Sequence, residues 1–351
     1  MKNRIVQFSA GFNTGDAISN EMLFLKKNFE SQNFKSEIYS ENIGDLAKKL
    51  AKKYKLYSYL KDDILIYHHS IHSSIFDFVK SLPVKKILIY HNVTPHEFFL
   101  PYDLKLSYFL KKGREELKEL KNFFEYSFAD STYNLQELLD LGYPNAEKLP
   151  IHYDFSKLKI LERKGSSRLK NIIFVGRIAP NKKHSDLIKI AKLLMDHYPE
   201  IEFKLYLVGY CSKELLNYKK ELELMIQIFQ LEDKVIFSDF IDDEKLFEFY
   251  SNADLFLCMS EHEGFCVPLL ESIHYGIPII AFSAGAVKDT LNGSGILLEE
   301  KDFMMIAELV KKVLLEDSFK NKIVNQQTLM LEEFKKDESI KKLNDIIWSF
   351  V

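Results

Sequence analysis

Short β-rich runs alternate with amphipathic helical stretches from one end of the chain to the other, and that alternation restricts the fold to parallel sheets covered by crossover helices. Strand candidates in the first half are 4–8, 36–39, 63–67, 86–90, 127–129 and 147–150; in the second they are 171–175, 203–208, 234–237, 255–259, 278–281 and 295–298. The helical patterns between them suit βαβ units, so each half is predicted to be a doubly wound α/β domain. Residues 151–170 break the rhythm with the charged stretch KILERKGSSRLK. The expected division is therefore 1–160, 161–335 and a terminal helix over 336–351, where Ile340, Leu343, Ile346, Ile347 and Phe350 recur at helical spacing.

Composition enters as a set of exclusions. With 48 basic against 51 acidic side chains the chain lacks the basic excess that neutralises phosphates, so nucleic acid is not an expected partner. No run reaches the ~18 apolar residues a spanning helix needs, and the apolar run at 5–8 is too short for a signal-peptide core, which predicts a cytoplasmic protein. Cys211, Cys258 and Cys266 form no C-x-x-C pair and read as reduced thiols. The histidines at 68, 69, 72, 96, 152 and 184 match no zinc spacing, so no metal site is predicted.

Two segments carry chemistry. Gly176-Arg177-Ile178-Ala179-Pro180-Asn181-Lys182 follows an apolar strand and leads into a helix. Ligands of open α/β sheets bind outside the carboxyl ends of the strands, where an Arg can grip a diphosphate bidentately and a Lys can act as a point charge. The second segment runs from Ser260 to Glu271 after another apolar strand. Gly264 frees the backbone for a tight turn and Pro268 suits a first helical turn, so Phe265, Cys266 and Val267 should present free amides to an anion. Glu263 and Glu271 would touch different parts of the same ligand.

These segments, with LVG at 207–209, EGFCVPLLE at 263–271 and GIPIIA at 276–281, resemble the retaining glycosyltransferase family 4, also called group 1, whose signature is E-x7-E. The first half resembles one branch of that family through FSAGFNTGDAISNEM at 8–22, IYHHS at 66–70, YHNVTPHEFF at 90–99 and STYNLQELLDLGY at 131–143. The resemblance implies a GT-B fold: two Rossmann-like domains facing a central cleft, acceptor side first and nucleotide-sugar side second, with the last helix returning to the first domain. It gives Gly15 a place in a loop near the donor phosphates and His91 one beside the transferred sugar. Arg177 and Lys182 match the diphosphate pair, Glu263 lies near the sugar hydroxyls, and Glu271 binds the ribose. Gly176, Gly264, Phe265, Cys266 and Val267 line the donor, whose base meets backbone near Gly209 and Phe240. Lys183 and Cys266 depart from the pattern, standing where the family usually has Gly; Met259 stands where Pro is common and Asp289 where Glu is commoner.

The activity implied is retaining transfer of a hexose of mannose or glucose type, from GDP-mannose ahead of UDP-glucose, to a lipopolysaccharide, capsule or O-antigen glycan. Arg177, Lys182 and the amides after Gly264 supply positive potential for the leaving diphosphate, and no D-x-D is present to hold Mg²⁺ or Mn²⁺, so no metal or other cofactor is expected. A silent GT-B subunit binding glycan or a partner, and a sugar-nucleotide epimerase, are the alternatives. Between Leu46 and Lys61 lie six lysines and no acid, with Leu46, Leu50, Tyr54 and Tyr57 on a helical stripe. Together with Lys105, Lys111, Lys112 and Arg114 this stretch reads either as a solvated lysine face over a core stripe or as peripheral contact with the inner membrane surface and a lipid-linked acceptor.

Overall fold

The computed structural model describes residues 3–163, 168–239, 241–336 and 338–351. The chain folds as two compact units: one takes the chain through Glu97, Lys105–Tyr153 and the C-terminal stretch, the other Phe98–Leu104 and Asp154–Lys336. Among the described residues the first unit holds strands β1 (Arg4–Phe12), β2 (Lys35–Ile43), β3 (Lys52–Lys53), β4 (Ile64–His69), β5 (Lys85–Tyr90), β6 (Tyr126–Ala129) and β7 (Ala146–Lys148). They pair in the order β3-β2-β1-β4-β5-β6-β7, every neighbour parallel. Helices α1 (Ala17–Ser31), α2 (Ile75–Ser81), α3 (Leu104–Leu120) and α4 (Thr132–Asp140) make the crossovers.

The second unit holds β8 (Lys170–Val175), β9 (Phe203–Val208), β10 (Val235–Phe237), β11 (Leu255–Cys258), β12 (Ile279–Phe282) and β13 (Ile296–Leu298), in the parallel order β10-β9-β8-β11-β12-β13. Helices α5 (His184–His197), α6 (Leu216–Ile228), α7 (Asp243–Asn252), α8 (Val267–His274), α9 (Val287–Leu291), α10 (Phe303–Leu315) and α11 (Asp317–Phe334) surround it. Strand order reverses between β1 and β4 in one sheet and between β8 and β11 in the other, which marks the carboxyl ends of those pairs as ligand positions. Several helices start where a short acidic or hydroxyl side chain satisfies free amides: Asp16 accepts from the Ser19 amide at 3.0 Å, Ser131 from Asn134 at 3.1 Å, and Asp302 from Met304 and Met305 at 3.0 and 3.1 Å.

The final helix α12 (Ser339–Ser349) packs in the first unit, where Leu343, Ile346 and Ile347 join Ile5, Leu25, Phe29, Ile64, Ile87 and Phe128 in one core. Asn28 donates to Asn344 at 2.7 Å and the Trp348 indole to Gln32 at 2.8 Å, so the seam between α1 and α12 is fixed by polar contacts as well as by burial.

The stretch over 46–61 is not a helix with a core stripe. It forms 3₁₀ turns at Asp45–Ala47 and Tyr54–Leu56 around the two-residue β3, and Leu46 and Leu56 are 81% and 72% exposed. Ala47 and Ala51 alone of its apolar residues are buried. Its end is tied down by Arg4, which is bidentate on Asp63 at 2.6 and 2.9 Å and donates to the Ser58 carbonyl at 2.6 Å. No helix of the described residues is long and apolar enough to cross a membrane.

Leu343 is wholly buried. Leu343→Ala should lower unfolding free energy by about 2–4 kcal/mol, measured by urea denaturation; a loss under about 1 kcal/mol would mean α12 is not part of this core.

Candidate active site

At the reversal point of the second sheet the chain leaves β8 through Gly176 and Arg177, makes a 3₁₀ turn at Pro180–Lys182, and enters α5 after Lys183. The turn lies against the strand beside it: the Gly176 amide donates to Val208 at 2.9 Å and the Ile178 amide to Tyr210 at 3.0 Å. Gly209 makes this approach possible, because a Cβ there would sit 2.1 Å from the Gly176 carbonyl oxygen.

The chain leaving β11 comes to meet this turn. The Glu261 amide donates to the Asn181 carbonyl at 2.8 Å, and the Asn181 side chain donates to the His262 carbonyl at 3.1 Å. Lys182 Nζ then reaches Glu263 Oε2 at 2.5 Å. Behind Glu263, Gly285 lets a third turn close in: the Ala286 amide donates to the Glu263 carbonyl at 3.0 Å, and a Cβ on Gly285 would lie 2.3 Å from that oxygen. α8 begins at Val267 with Pro268 in its first turn. Among the described residues, the amides of Phe265, Cys266 and Val267 donate to no protein oxygen, as an anion-binding helix start requires.

Burial disfavours the Lys182 ammonium, but the Glu263 carboxylate outweighs it and raises the Lys182 pKa, keeping the side chain cationic. Burial, with that cation nearby, pushes His184 down to about 3, so it stays neutral against Phe174. Arg177 is exposed and, among the described residues, makes no hydrogen bond or ion pair, which leaves its fork available to a ligand. Glu271 is buried and accepts a hydrogen bond from the Tyr250 hydroxyl. Gly264 lies in the turn before α8, and Phe240 lies outside the described residues.

Three participants went unseen in the sequence. Asn181 stitches the two turns, Tyr250 orients Glu271, and Lys301 joins Asp186, Glu261 and the Met259 carbonyl at 2.7, 2.9 and 3.0 Å. Asn181 stood inside a motif already singled out; Tyr250 and Lys301 arrive from distant elements with no local signal. Lys183 and Cys266, standing where the family pattern has Gly, both adopt left-handed backbone, with φ of 51° and 70°. That conformation costs a non-glycine residue roughly 1–2 kcal/mol.

In the first unit, Gly15 lies in the turn between β1 and α1 with open space around it. His91, just after β5, is enclosed: His91 and His68 approach through Nε2 and Nδ1 at 2.8 Å, and His91 Nδ1 lies 3.2 Å from Asp130 and 3.6 Å from Glu21. His68 Nε2 reaches Gln7 Oε1 at 3.0 Å. Burial and the His91 charge hold His68 neutral. Burial also acts against a charged His91, yet the Asp130 hydrogen bond and the Glu21 charge prevail and raise its pKa. A consistent network follows, with His91 protonated and donating to both Asp130 and His68, and His68 donating to Gln7.

Burial lifts the Glu21 carboxyl to about 7 against the pull of His91. An unfolded Glu releases its proton near ~4.3, so the stability held by protonated Glu21 is complete below that pH and drains as pH climbs to about 7. Glu21→Gln should therefore match wild type near pH 4 and exceed it at pH 8, by on the order of 3 kcal/mol. Denaturation at both pH values checks this, and a pH-independent difference would contradict it.

Comparison with known proteins fits this geometry. The family model of glycosyl transferases group 1 matches residues 158–330. Mannosylfructose-phosphate synthase of Agrobacterium fabrum is 31% identical over 150 residues, covering 42% of this chain and 32% of the relative. The chain thus spans about a third of the length of that curated relative. Sucrose-phosphate synthase from Thermosynechococcus elongatus has the same fold with a TM-score of 0.78, 13% identity and full coverage of both chains. Anabaena HepE in complex with UDP and glucose gives 0.68 at 14% identity, covering 94% of this chain and 95% of that one. Two doubly wound parallel sheets are the α/β fold of GT-B glycosyltransferase structures, and residues 158–330 of this chain match the family of group 1 glycosyl transferases.

Proposed function

We propose that the protein transfers a hexose from a nucleoside diphosphate sugar to a glycan acceptor with retention at the anomeric carbon. The observation that carries this reading is the meeting of two turns at the reversal point of the second sheet, where Lys182 and Glu263 pair beside the open amides of α8. Transfer builds negative charge on the departing diphosphate and positive charge on the sugar. Arg177, Lys182 and the α8 amides meet the first charge, and Glu263 supports the second while holding sugar hydroxyls. A donor phosphate competes with Glu263 for Lys182, so the pair serves as a placeholder that donor binding opens. Glu271, oriented by Tyr250, takes the ribose hydroxyls. Protein cations thus do the work that a carboxylate-held metal does elsewhere, and transfer proceeds without a metal bridging the diphosphate.

The donor is a GDP- or UDP-hexose; the mannosyl product in the name of the Agrobacterium relative supports mannose, and the UDP and glucose held by the Anabaena structure support glucose. The acceptor belongs to a lipid-linked surface glycan. Supporting this, the first unit exposes Leu46, Leu56 and Leu60 among Lys48, Lys49, Lys52, Lys53, Lys55 and Lys61. Apolar tips within a lysine field suit an anionic bilayer surface on the cytoplasmic side.

A thermal-shift and slow-hydrolysis panel of GDP-mannose, UDP-glucose, UDP-galactose and UDP-N-acetylglucosamine tests the donor. One should stabilise the protein selectively and release its nucleotide at a rate indifferent to EDTA. Arg177→Ala should depress turnover by about two or more orders of magnitude, whereas Glu271→Ala should chiefly weaken nucleotide binding; wild-type turnover in either would remove that residue from the site. The protein should also sediment with vesicles containing anionic lipid and not with zwitterionic ones, and replacing Leu46 and Leu56 by Ser should abolish this.

A further inference from the structure

The donor-side turn also holds two thiols whose sulfurs the proposed transfer does not use. The Sγ atoms of Cys258 and Cys266 and a carboxylate oxygen of Glu263 all lie within 4.8 Å of one another. Cys258 ends β11 fully buried, and Cys266 caps α8, half-buried and turned by its left-handed backbone. Glu263 is 5% exposed, and its two oxygens differ: Oε2 holds Lys182, while Oε1 is buried with no hydrogen-bond partner. A buried carboxylate oxygen without a donor is costly, and this one stands beside two thiols.

We propose that Cys258, Cys266 and Glu263 form a site for one thiophilic divalent cation of the zinc class. Two thiolates and one carboxylate are a recognised donor set for Zn²⁺, with sulfur at ~2.3 Å and oxygen at ~2.0–2.2 Å. Tetrahedral coordination at those lengths brings the three donor atoms to roughly 3.5–3.8 Å from one another, a contraction that side-chain rotation supplies. Cation binding expels both thiol protons. The charges then balance: three negative donors, the Lys182 ammonium and a divalent ion sum to zero, so the loaded site buries no net charge. Cys258 Sγ now donates to Ser260 Oγ at 3.4 Å, a weak hydrogen bond that a cation would replace. Three protein ligands leave the fourth position to water. Because Glu263 serves both the cation and, on the reading above, the donor sugar, the ion inhibits rather than assists transfer.

The test uses the fully reduced whole chain. Titration with Cd²⁺ should produce a thiolate-to-metal charge-transfer band that saturates at one equivalent, and Zn²⁺ should displace it at the same stoichiometry. Cys258→Ala and Cys266→Ser should each weaken binding by about two orders of magnitude, and Glu263→Gln by about one, while Cys211→Ser leaves it unchanged. Should a cysteine variant misfold, alkylation of the wild type decides: Zn²⁺ should shield Cys266 from iodoacetamide. A band that survives loss of both cysteines, no band at all, or alkylation of Cys266 unaffected by Zn²⁺ overturns the site. Tight cation binding with donor hydrolysis unaffected would uphold the site and overturn instead the assignment of Glu263 to the donor sugar.

Discussion

The site depends on one buried ion pair spanning two turns. Lys182 and Glu263 stand 81 residues apart in sequence and 2.5 Å apart in space, and neither charge is tolerable in that interior without the other. Their meeting requires the backbones to approach closely first. Gly209 lets the β8 turn lie on its neighbour, Gly285 lets a third turn support Glu263, and Asn181 bonds both ways across the gap. The pair is thus the last element of a backbone arrangement already fixed, which is what preorganisation means for a charged ligand. On the proposed reading, a donor phosphate at Lys182 would find an ammonium already desolvated and held, and only the partner would have to change.

The first unit uses the same kind of interaction for a different end. Its reversal point lies between β1 and β4, and His68 at the end of β4 is drawn into a chain of hydrogen bonds running from Gln7 to Asp130. His91 lies inside that chain, where the Asp130 hydrogen bond and Glu21 raise its pKa against burial. Its ring is held by Asp130 at 3.2 Å and by His68 at 2.8 Å, with Glu21 3.6 Å away, so its orientation is set by its neighbours.

Much of this was legible because parallel strands buried on both faces read as apolar runs. All but one of the strands coincide within a few residues with runs visible in the sequence, and the reversal points follow from their pairing. Lys182 and Glu263 were legible as charged residues in the turns that follow β8 and β11, and Glu271 as a carboxylate on the helix that begins after Gly264. The two-residue β3 has no pattern of its own and was missed. The periodicity of Leu46, Leu50, Tyr54 and Tyr57 was real but misleading: the segment turns twice and leaves Leu46 and Leu50 in solvent, because Asp63 and Arg4 hold its end as a loop. Tyr250 and Lys301 were illegible for a plainer reason, since a side chain that acts on a distant element carries no mark in its own neighbourhood.

Lys183 and Cys266 show what departure from a pattern can add. Both occupy left-handed backbone, where glycine would fit without strain. Lys183 turns its position to use by pairing with Glu261 at 3.0 Å, tightening the same seam that Asn181 bonds. Cys266 has no such compensating contact to the backbone it caps. What it gains is direction, since the left-handed turn carries its sulfur to within 4.8 Å of Cys258 and Glu263, and a glycine would leave that corner with a lone thiol and an unpaired oxygen. Strain retained beside a candidate site, with a thiol aimed at a second thiol and a carboxylate as its result, is accounted for on the proposed cation site by what the side chain binds.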